Sequence, residues 1–489
     1  MAAIELLAVE NSLSRSKQAQ YQVLQFWLVV ENRGYDKQVE VYWAGRDGVW
    51  QTLSAAYQAR RGDGREYWLA RVSISNRSGL ALPGAVNFAL RLRYDGGEIW
   101  DNNGGWNYHA PARSGVALAA GLAVQNLAIK QRLEAGQHYL QIKVATRPAQ
   151  AADKVVIHWS DDNWRTSRQT ACRRNRRAKQ HSAQIWTARL PVEQAFALEY
   201  CLCYRSKLGE VWDNNHGKNY RLSREPLRVL ILNLHCYQED RQDVKLSQIA
   251  KAIDEQAVDV VCFQEVAEHW NHGHGDWASN SANIINRRLR RPMHIHTDWS
   301  HLGFDKYREG VAILSRYPFR QARSRYVSDS QDPYSIHARK VVMAQLDIPY
   351  MGVVNVYSAH LSWWEDGFQH QFERLCAWAD SQLGGEVKTT LLCGDFNVAA
   401  GSAGYRLVVD GRRYEDQYLA ANQIGLFEKI FRVNDAHWQH LLADDYRIDY
   451  IFMNKSGDLR VTSARVLFTD WDYGRVSDHC GYLMSFEPK

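Results

Sequence analysis

An internal repeat constrains this chain more than any other feature. The string EIWDNNGGWNY at 98–108 returns as EVWDNNHGKNY at 210–220, a spacing of 112 residues. A loop that recurs at that interval implies two copies of one domain-sized unit rather than a single large core. The upstream text repeats too. Val39–Trp43 (VEVYW) leads to Trp50, and Val155–Trp159 (VVIHW) leads to Trp164. Before each WDNN lies an alternating segment, 88–94 and 197–204. Period-two alternation rich in β-branched and aromatic residues, broken by polar turns, predicts antiparallel strands. Two small β-sandwiches are therefore expected, over 1–112 and 120–223, with 111–115 (PARSG) as a linker.

From Leu227 the pattern changes. Strands are expected at 229–232, 258–263, 310–314, 340–346, 352–357, 389–393 and 448–453. Apolar residues at helical spacing occupy 244–255, 279–290 and 368–382. This predicts an α/β domain over 226–489, with helices covering both faces of a β core.

Composition narrows the class. The chain has 489 residues, of which 45% are hydrophobic and 23% charged, with only 10 Pro, so it is not fibrous or disordered. Its 18 Trp are a surplus that fits either large cores or flat stacking surfaces. No apolar run approaches the roughly 20 residues of a membrane span. The start lacks the basic flank and apolar core of a signal peptide. The eight Cys form no CxxC or Cys/His cluster, and Cys201, Cys203, Cys236, Cys262, Cys376 and Cys393 lie in apolar, strand-like text. These observations point to a reducing compartment, most simply the cytoplasm, and no membrane partner. The net charge of +6 hides an asymmetry. Residues 1–223 hold 30 basic and 19 acidic residues, whereas 224–489 hold 30 and 35. Part of the excess is the cluster Arg173, Arg174, Arg176, Arg177 and Lys179, which reads either as a solvated loop or as an attractor of an anionic polymer.

Asp and Asn beside Trp suit a polyol ligand, because the amides donate and accept while the indole offers a flat apolar face. The same residues also suit a strand-end turn in which Asp and Asn cap their own backbone. The segment 30–41 (VENRGYDKQVEV), Trp50, Phe88-Ala-Leu and Trp100-Asp-Asn-Asn resemble starch- and glycogen-binding carbohydrate modules. That resemblance implies immunoglobulin-like β-sandwiches that bind α-glucan or maltodextrin. It places Tyr35, Trp50, Trp100, Asn102 and Asn103 at the site of the first copy, and Trp164, Trp212, Asn214 and Asn215 at that of the second. The second copy has Ala152 where the first has Tyr35.

In the C-terminal part, polar residues recur where apolar strands end: Asn233, Gln264-Glu265, His360, Asp395 and Asn397, Asp449, and Ser477-Asp478-His479. Carboxylates suit hard cations, and histidines beside them suit proton transfer. Their order resembles the endonuclease/exonuclease/phosphatase superfamily, which implies a deoxyribonuclease-like four-layer α/β sandwich. By that resemblance Asn233, Glu265 and Asp478 hold Mg²⁺ or Mn²⁺, and His479 is the general base oriented by Asp449. Asp395 and Asn397 position water and the phosphoryl group, and His360 stabilises developing charge. Within the superfamily, 303–315 (GFDKYREGVAILS), Arg339-Lys-Val and His360-Leu-Ser-Trp-Trp364 resemble the maltose 6′-phosphate phosphatase branch. That adds Lys306 and Arg339 as phosphate contacts and Trp363 and Trp364 as a sugar platform. The expected activity is hydrolysis of phosphorylated maltodextrin, α-glucan or maltose phosphate. A nuclease or phosphodiesterase is the alternative, which the net −5 of 224–489 does not favour for a polyanionic substrate.

Overall fold

The computed structural model describes the chain apart from residues 1, 17–18, 79–80, 148–153, 176–182, 208, 272, 304, 412 and 423–446. Ala152, Arg176, Arg177 and Lys179 thus lie outside the described residues. The chain divides into two units, Met1–Glu225 and Pro226–Lys489.

In the first unit, the strands of the first repeat form one hydrogen-bonded path. Its order is Gly97–Asp101, Val86–Tyr94, Gln38–Ala44, Trp50–Arg60, Glu66–Ser75, Gln20–Val30, Ile4–Arg15 and Gly115–Leu118. Phe26, Leu28, Val39, Val41, Trp43, Phe88 and Leu90 fill its core. The second repeat carries a four-stranded sheet and a five-stranded one. Expecting a linker between separate sandwiches understates how closely the copies join. One continuous core combines Leu7, Trp27, Val29, Tyr67 and Val116 of the first copy with Ile142, Val144, Ile157, Leu198 and Tyr200 of the second. Strand Gln20–Val30 explains this. Its Phe26 and Leu28 face their own copy while Trp27 and Val29 face the other, so both sides are buried. Its unbroken apolar run Phe26–Val30 carries that information. Polar contacts complete the joint. Trp27 Nε1 donates to the Leu127 carbonyl (3.2 Å), and Gly62 N donates to Asn215 Oδ1 (3.0 Å). A Cβ at Gly62 would stand 1.9 Å from the Asn215 carbonyl, so only glycine permits this approach.

In the second unit two sheets stack. One runs His294–Gly303, Tyr307–Ser315, Val260–Asn271, Leu227–Asn233, Gly481–Pro488, Leu459–Leu467. The other runs Phe319–Tyr326, Lys340–Ile348, Gly352–His360, Val387–Asp395, Asp449–Asn454, Tyr414–Asp416. Helix Gln242–Glu255 buries Leu246, Ile249 and Ile253 on the outside of the first sheet. Helix Phe368–Ser381 buries Phe368, Phe372 and Leu375 on the outside of the second. The result is four layers, α/β/β/α. Gln264 Nε2 donates to Ser358 Oγ, and that hydroxyl to the Phe263 carbonyl, which links the two sheets through a buried polar bridge. All eight cysteines are buried and unpaired. Cys376 sits on a helix rather than in a strand.

Candidate functional site

The polar strand ends converge on one cleft of about 640 Å³ in the second unit. Leu227–Asn233 and Val260–Asn271 run parallel, as do Gly352–His360 and Val387–Asp395. Asn233, His360 and Asp395 therefore emerge at the carboxyl ends of their strands, and Glu265 lies beside Asn233 part-way along Val260–Asn271. A bulge between Phe263 and Val266 puts Glu265 at φ +49°, and Asn397 stands at φ +51°. Left-handed backbone on bulky residues is tolerated where the surroundings enforce it, commonly at functional sites. Gly394 (φ +131°) lets strand Val387–Asp395 close up, since a Cβ there would lie 2.1 Å from the Ala359 carbonyl.

Asn233 Nδ2 donates to Glu265 Oε1 (2.8 Å) and Asp395 Oδ2 (3.0 Å). His479 Nδ1 pairs with Asp449 Oδ2 (2.8 Å), leaving Nε2 3.8 Å from Asp395 Oδ2. His360 Nε2 faces the same oxygen at 3.8 Å and Glu265 Oε1 at 4.0 Å. Asn397 is anchored by its Nδ2 on the Leu361 carbonyl (2.8 Å), and its own N–H donates to Asp395 Oδ1 (2.9 Å). Among the described residues, three groupings bring potential metal ligands together: Glu265, His360 and Asp395; Asp395, Asp449 and His479; and His235, Glu239 and Asp478.

Charge in the cleft is finely poised. Burial, then the Glu309 and Asp478 carboxylates, push Glu265 up to about 7. Burial and Asp449 push Asp395 up to about 7, against the partial relief of His479. Burial alone would pull His479 down, but the surrounding Asp449, Asp478 and Asp395 carboxylates reverse this and hold it well above the ordinary histidine range. Burial and the Arg339 guanidinium hold His360 well below it. Glu309 is raised by burial. Facing buried carboxylates with raised affinity for protons fit a divalent cation, which relieves the same repulsion.

Arg339 and Trp363 line the cleft, and Arg339 Nε donates to Ser362 Oγ (3.3 Å). Trp364 does not line it. Trp364 packs instead against Phe368 and beside Gly404. Lys306 is also not part of the lining, which takes Gly303 and Asp305 from the same loop. Several lining residues carry no role assigned from the sequence, among them His235, His301, Glu309 and Tyr334. Burial and Arg339 hold His301 down at about 4, and its Nε2 faces Glu309 Oε1 at 3.5 Å. Glu309 was within sight, as the acid of the Glu-Gly-Val-Ala-Ile-Leu-Ser run.

In the first unit the WDNN strings build loops. Asn103, Asn107, Asn215, His216 and Asn219 take φ between +50° and +59°, the left-handed region that asparagine tolerates. Asn102 Oδ1 accepts from Gly105 N, and Asn103 Nδ2 donates to the Asn107 carbonyl. Asn214 and Asn215 make the matching bonds to Gly217 N and the Asn219 carbonyl. Asp101 and Asp213 accept from Tyr108 and Tyr220. The capping role is thus the one these amides perform, and Asn215 is buried besides. The exposed aromatics differ between copies. Trp50 stacks on Tyr42 (4.9 Å) and Trp100 meets that ring edge-on (5.8 Å), which forms a continuous platform. In the second copy Trp212 leans on His158 (4.8 Å), the counterpart of Tyr42. Trp164 is elsewhere, its indole N–H bonded to Glu199 Oε2 (2.8 Å). Tyr35 is fully exposed in a separate loop, and no ring contact joins it to Trp50 or Trp100.

Residues 231–479 match the Endonuclease/Exonuclease/phosphatase family, and residues 123–223 match the carbohydrate/starch-binding module of family 21. Among solved structures, the chain is similar to an endonuclease/exonuclease/phosphatase family protein from Leptotrichia buccalis C-1013-b, with 26% identity over 53% of this chain and 99% of that one (TM-score 0.47). An endonuclease/exonuclease/phosphatase from Beutenbergia cavernae DSM 12333 is 20% identical over 54% and 72% (0.41). The human nocturnin catalytic domain with bound sulfate is 16% identical over 54% and 95% (0.41). No curated protein matches the chain. No helix among the described residues is long and apolar enough to cross a membrane.

Proposed function

Because the chain belongs to the endonuclease/exonuclease/phosphatase family, we propose that it is a divalent-metal-dependent phosphomonoesterase of phosphorylated α-glucan or maltodextrin, maltose phosphate included. The observation that carries this is the union, in one chain, of a starch-binding module with a carboxylate–histidine cleft rimmed by Trp363 and Tyr334. Such aromatic residues suit the apolar faces of a sugar. The cleft sets Glu265, Asp305, Glu309, Asp366, Asp395 and Asp478 against one arginine, Arg339. That balance suits a single phosphate with a bound cation better than a nucleic-acid backbone.

Asn233, Glu265, Glu309 and Asp478 would hold the ion, Mg²⁺ or Mn²⁺. When bound, it supplies positive charge to the phosphoryl oxygens. The remaining work falls to the chain. Arg339 and His360 flank the phosphate and fix it opposite Asp395. The resemblance gives the base to His479, but its carboxylate neighbours raise its affinity for protons, which favours the charged form. Asp395, poised at about 7, therefore takes the proton from water, and His479 stabilises the developing charge, oriented by Asp449. Asn397, tied to the Leu361 carbonyl, fixes the chain that follows Asp395.

Phosphate release from phosphorylated maltooligosaccharides and phospho-glucan, compared with sugar-free phosphoesters, tests the substrate class. A clear preference for the glucan esters is expected, and equal rates would overturn it. Nicking of plasmid DNA that disappears on Asp395→Ala would favour the nuclease reading. Metal binding offers a second check. Proton and ion compete for Glu265, so affinity measured by calorimetry should rise by about tenfold per pH unit below 7 and level off above. A flat profile between pH 5.5 and 7 would contradict the assignment. For glucan, Trp50→Ala with Trp212→Ala should weaken amylose co-sedimentation roughly fivefold per platform lost. Trp164→Ala should stay within about twofold of the parent, since that indole is committed to Glu199.

A further inference from the structure

A second crevice, about 360 Å³, opens in the first unit where the two repeats meet. That size falls within the range of small-molecule sites. One wall is the Ala59–Gly62 turn of the first copy, and the other is the Asn215–Arg221 segment that follows the second WDNN. Five cations line it: Arg60, Arg61, Lys130, Lys218 and Arg221. Carboxylates stand near three of them, and the buried Asp213 adds negative charge beside Arg61. Asp63 stands 3.8 Å from Arg61 Nε, Glu134 is 3.8 Å from Lys130, and Glu199 is 3.9 Å from Arg221.

Arg61 is the telling residue. Its side chain is only 13% exposed, held over the Tyr67 ring at 5.8 Å and against His216. Its Nε and Nη1 are buried without a hydrogen-bond acceptor. Guanidinium N–H groups left without acceptors carry a desolvation penalty, which a rotation of the side chain toward an anion in the crevice would relieve. The wall is also rigid, because the Gly62–Asn215 contact admits no side chain between the loops.

We propose that this crevice is a phosphate-recognition site, distinct from the hydrolytic cleft and from the aromatic platforms, which takes a phosphomonoester carried on an α-glucan. Arg61 receives the anion, Lys130 and Lys218 surround it, and the Asn219 amide and the Tyr220 ring border the attached sugar. The ligand class follows from the function proposed above. The site would make the binding unit select the phosphorylated stretches of a polymer.

The test uses the full-length protein in chelator, so that no turnover intervenes. Affinity is measured for a phosphorylated α-glucan and for the same glucan after dephosphorylation. The phosphorylated form should bind roughly tenfold tighter. The preference should shrink with added salt and fall to about twofold or less in Lys130→Ala/Lys218→Ala, whose exposed positions leave the core intact. Arg61→Gln should reduce it as well, with its unfolding midpoint measured in parallel. Equal affinity for the two glucans, or a preference that survives the double substitution, overturns the proposal. Phosphate-release assays on the same materials separate the two ideas. Release without binding preference sinks this site alone, and preference without release sinks only the enzymatic reading.

Discussion

Asp395→Asn should reduce turnover by about a thousandfold while making the C-terminal unit more stable at pH 8. The loss follows from removing the group that takes the proton from water, a contribution of about 10²–10⁴. The gain follows from the cost of burying that carboxylate, whose affinity for protons is raised from the ordinary range to about 7. Because the folded form binds the proton more tightly than the unfolded chain, ionised Asp395 opposes folding above pH 7. The penalty fades as pH falls and vanishes below about 4. Asparagine removes the charge and keeps an acceptor for Asn397 N. Thermal unfolding of wild type and variant between pH 5 and 8 should show a stabilisation of about 1–3 kcal/mol at pH 8 that shrinks towards pH 5. A variant less stable at pH 8, or one that keeps a tenth of the activity, would remove Asp395 from this role.

Arg447→Met should have the largest effect on folding. Arg447 and Asp416 are a buried pair, 2% and 3% exposed, with Nη1 3.1 Å from Oδ1. The guanidinium also lies over the Tyr450 ring at 4.5 Å, and Tyr405 donates its hydroxyl to Asp416 Oδ2. Removing the cation strands the carboxylate in the interior, which typically costs about 3–5 kcal/mol. For a unit of this size that is roughly 10 °C in unfolding midpoint. Pairing it with Asp416→Leu should restore much of the loss, since an apolar pair of similar volume is often as stable. A single variant that unfolds within 2 °C of the parent would show that the pair is not a keystone. Arg447 also holds the chain just before Asp449, and its carbonyl accepts from Tyr450 OH and Ala400 N. Activity should therefore fall with stability.

The carboxylate–histidine cleft was the most legible part of the sequence, for a physical reason. Asn233, Glu265, His360 and Asp395 each terminate an apolar run, and parallel neighbouring strands bring such termini together without further information. His301 and His235 lay hidden, because a lone histidine in polar text carries no periodic signal. In the second unit the unread strands were mostly edges. His294–Gly303, Phe319–Tyr326 and Leu459–Leu467 border the two sheets, where one side meets solvent and arginine, histidine and serine replace the apolar residues that announce a strand. WDNN is ambiguous in a different way. Its amides are the ones a sugar site uses, yet a left-handed loop needs the same residues. Only geometry separates the two, and here the amides bond their own backbone while Trp50, Tyr42 and Trp100 offer the open face. Trp363 and Trp364 show the limit of adjacency, since neighbours in an irregular segment point apart, one into the cleft and one onto a helix.

If both repeats bind glucan as proposed, their shared core would make the N-terminal unit a fixed-length gauge. Modules on a flexible tether search for a second binding event over a range of distances, and their avidity falls as the tether lengthens. Two platforms welded by Trp27, Val29 and Tyr67 have no such range. Under the proposed function they would engage together only where a glucan presents turns at the matching interval, and elsewhere would bind singly. The unit would then grade substrates by the regularity of their helices as well as by their amount, so that ordered and amorphous glucan of equal mass would not be equal targets.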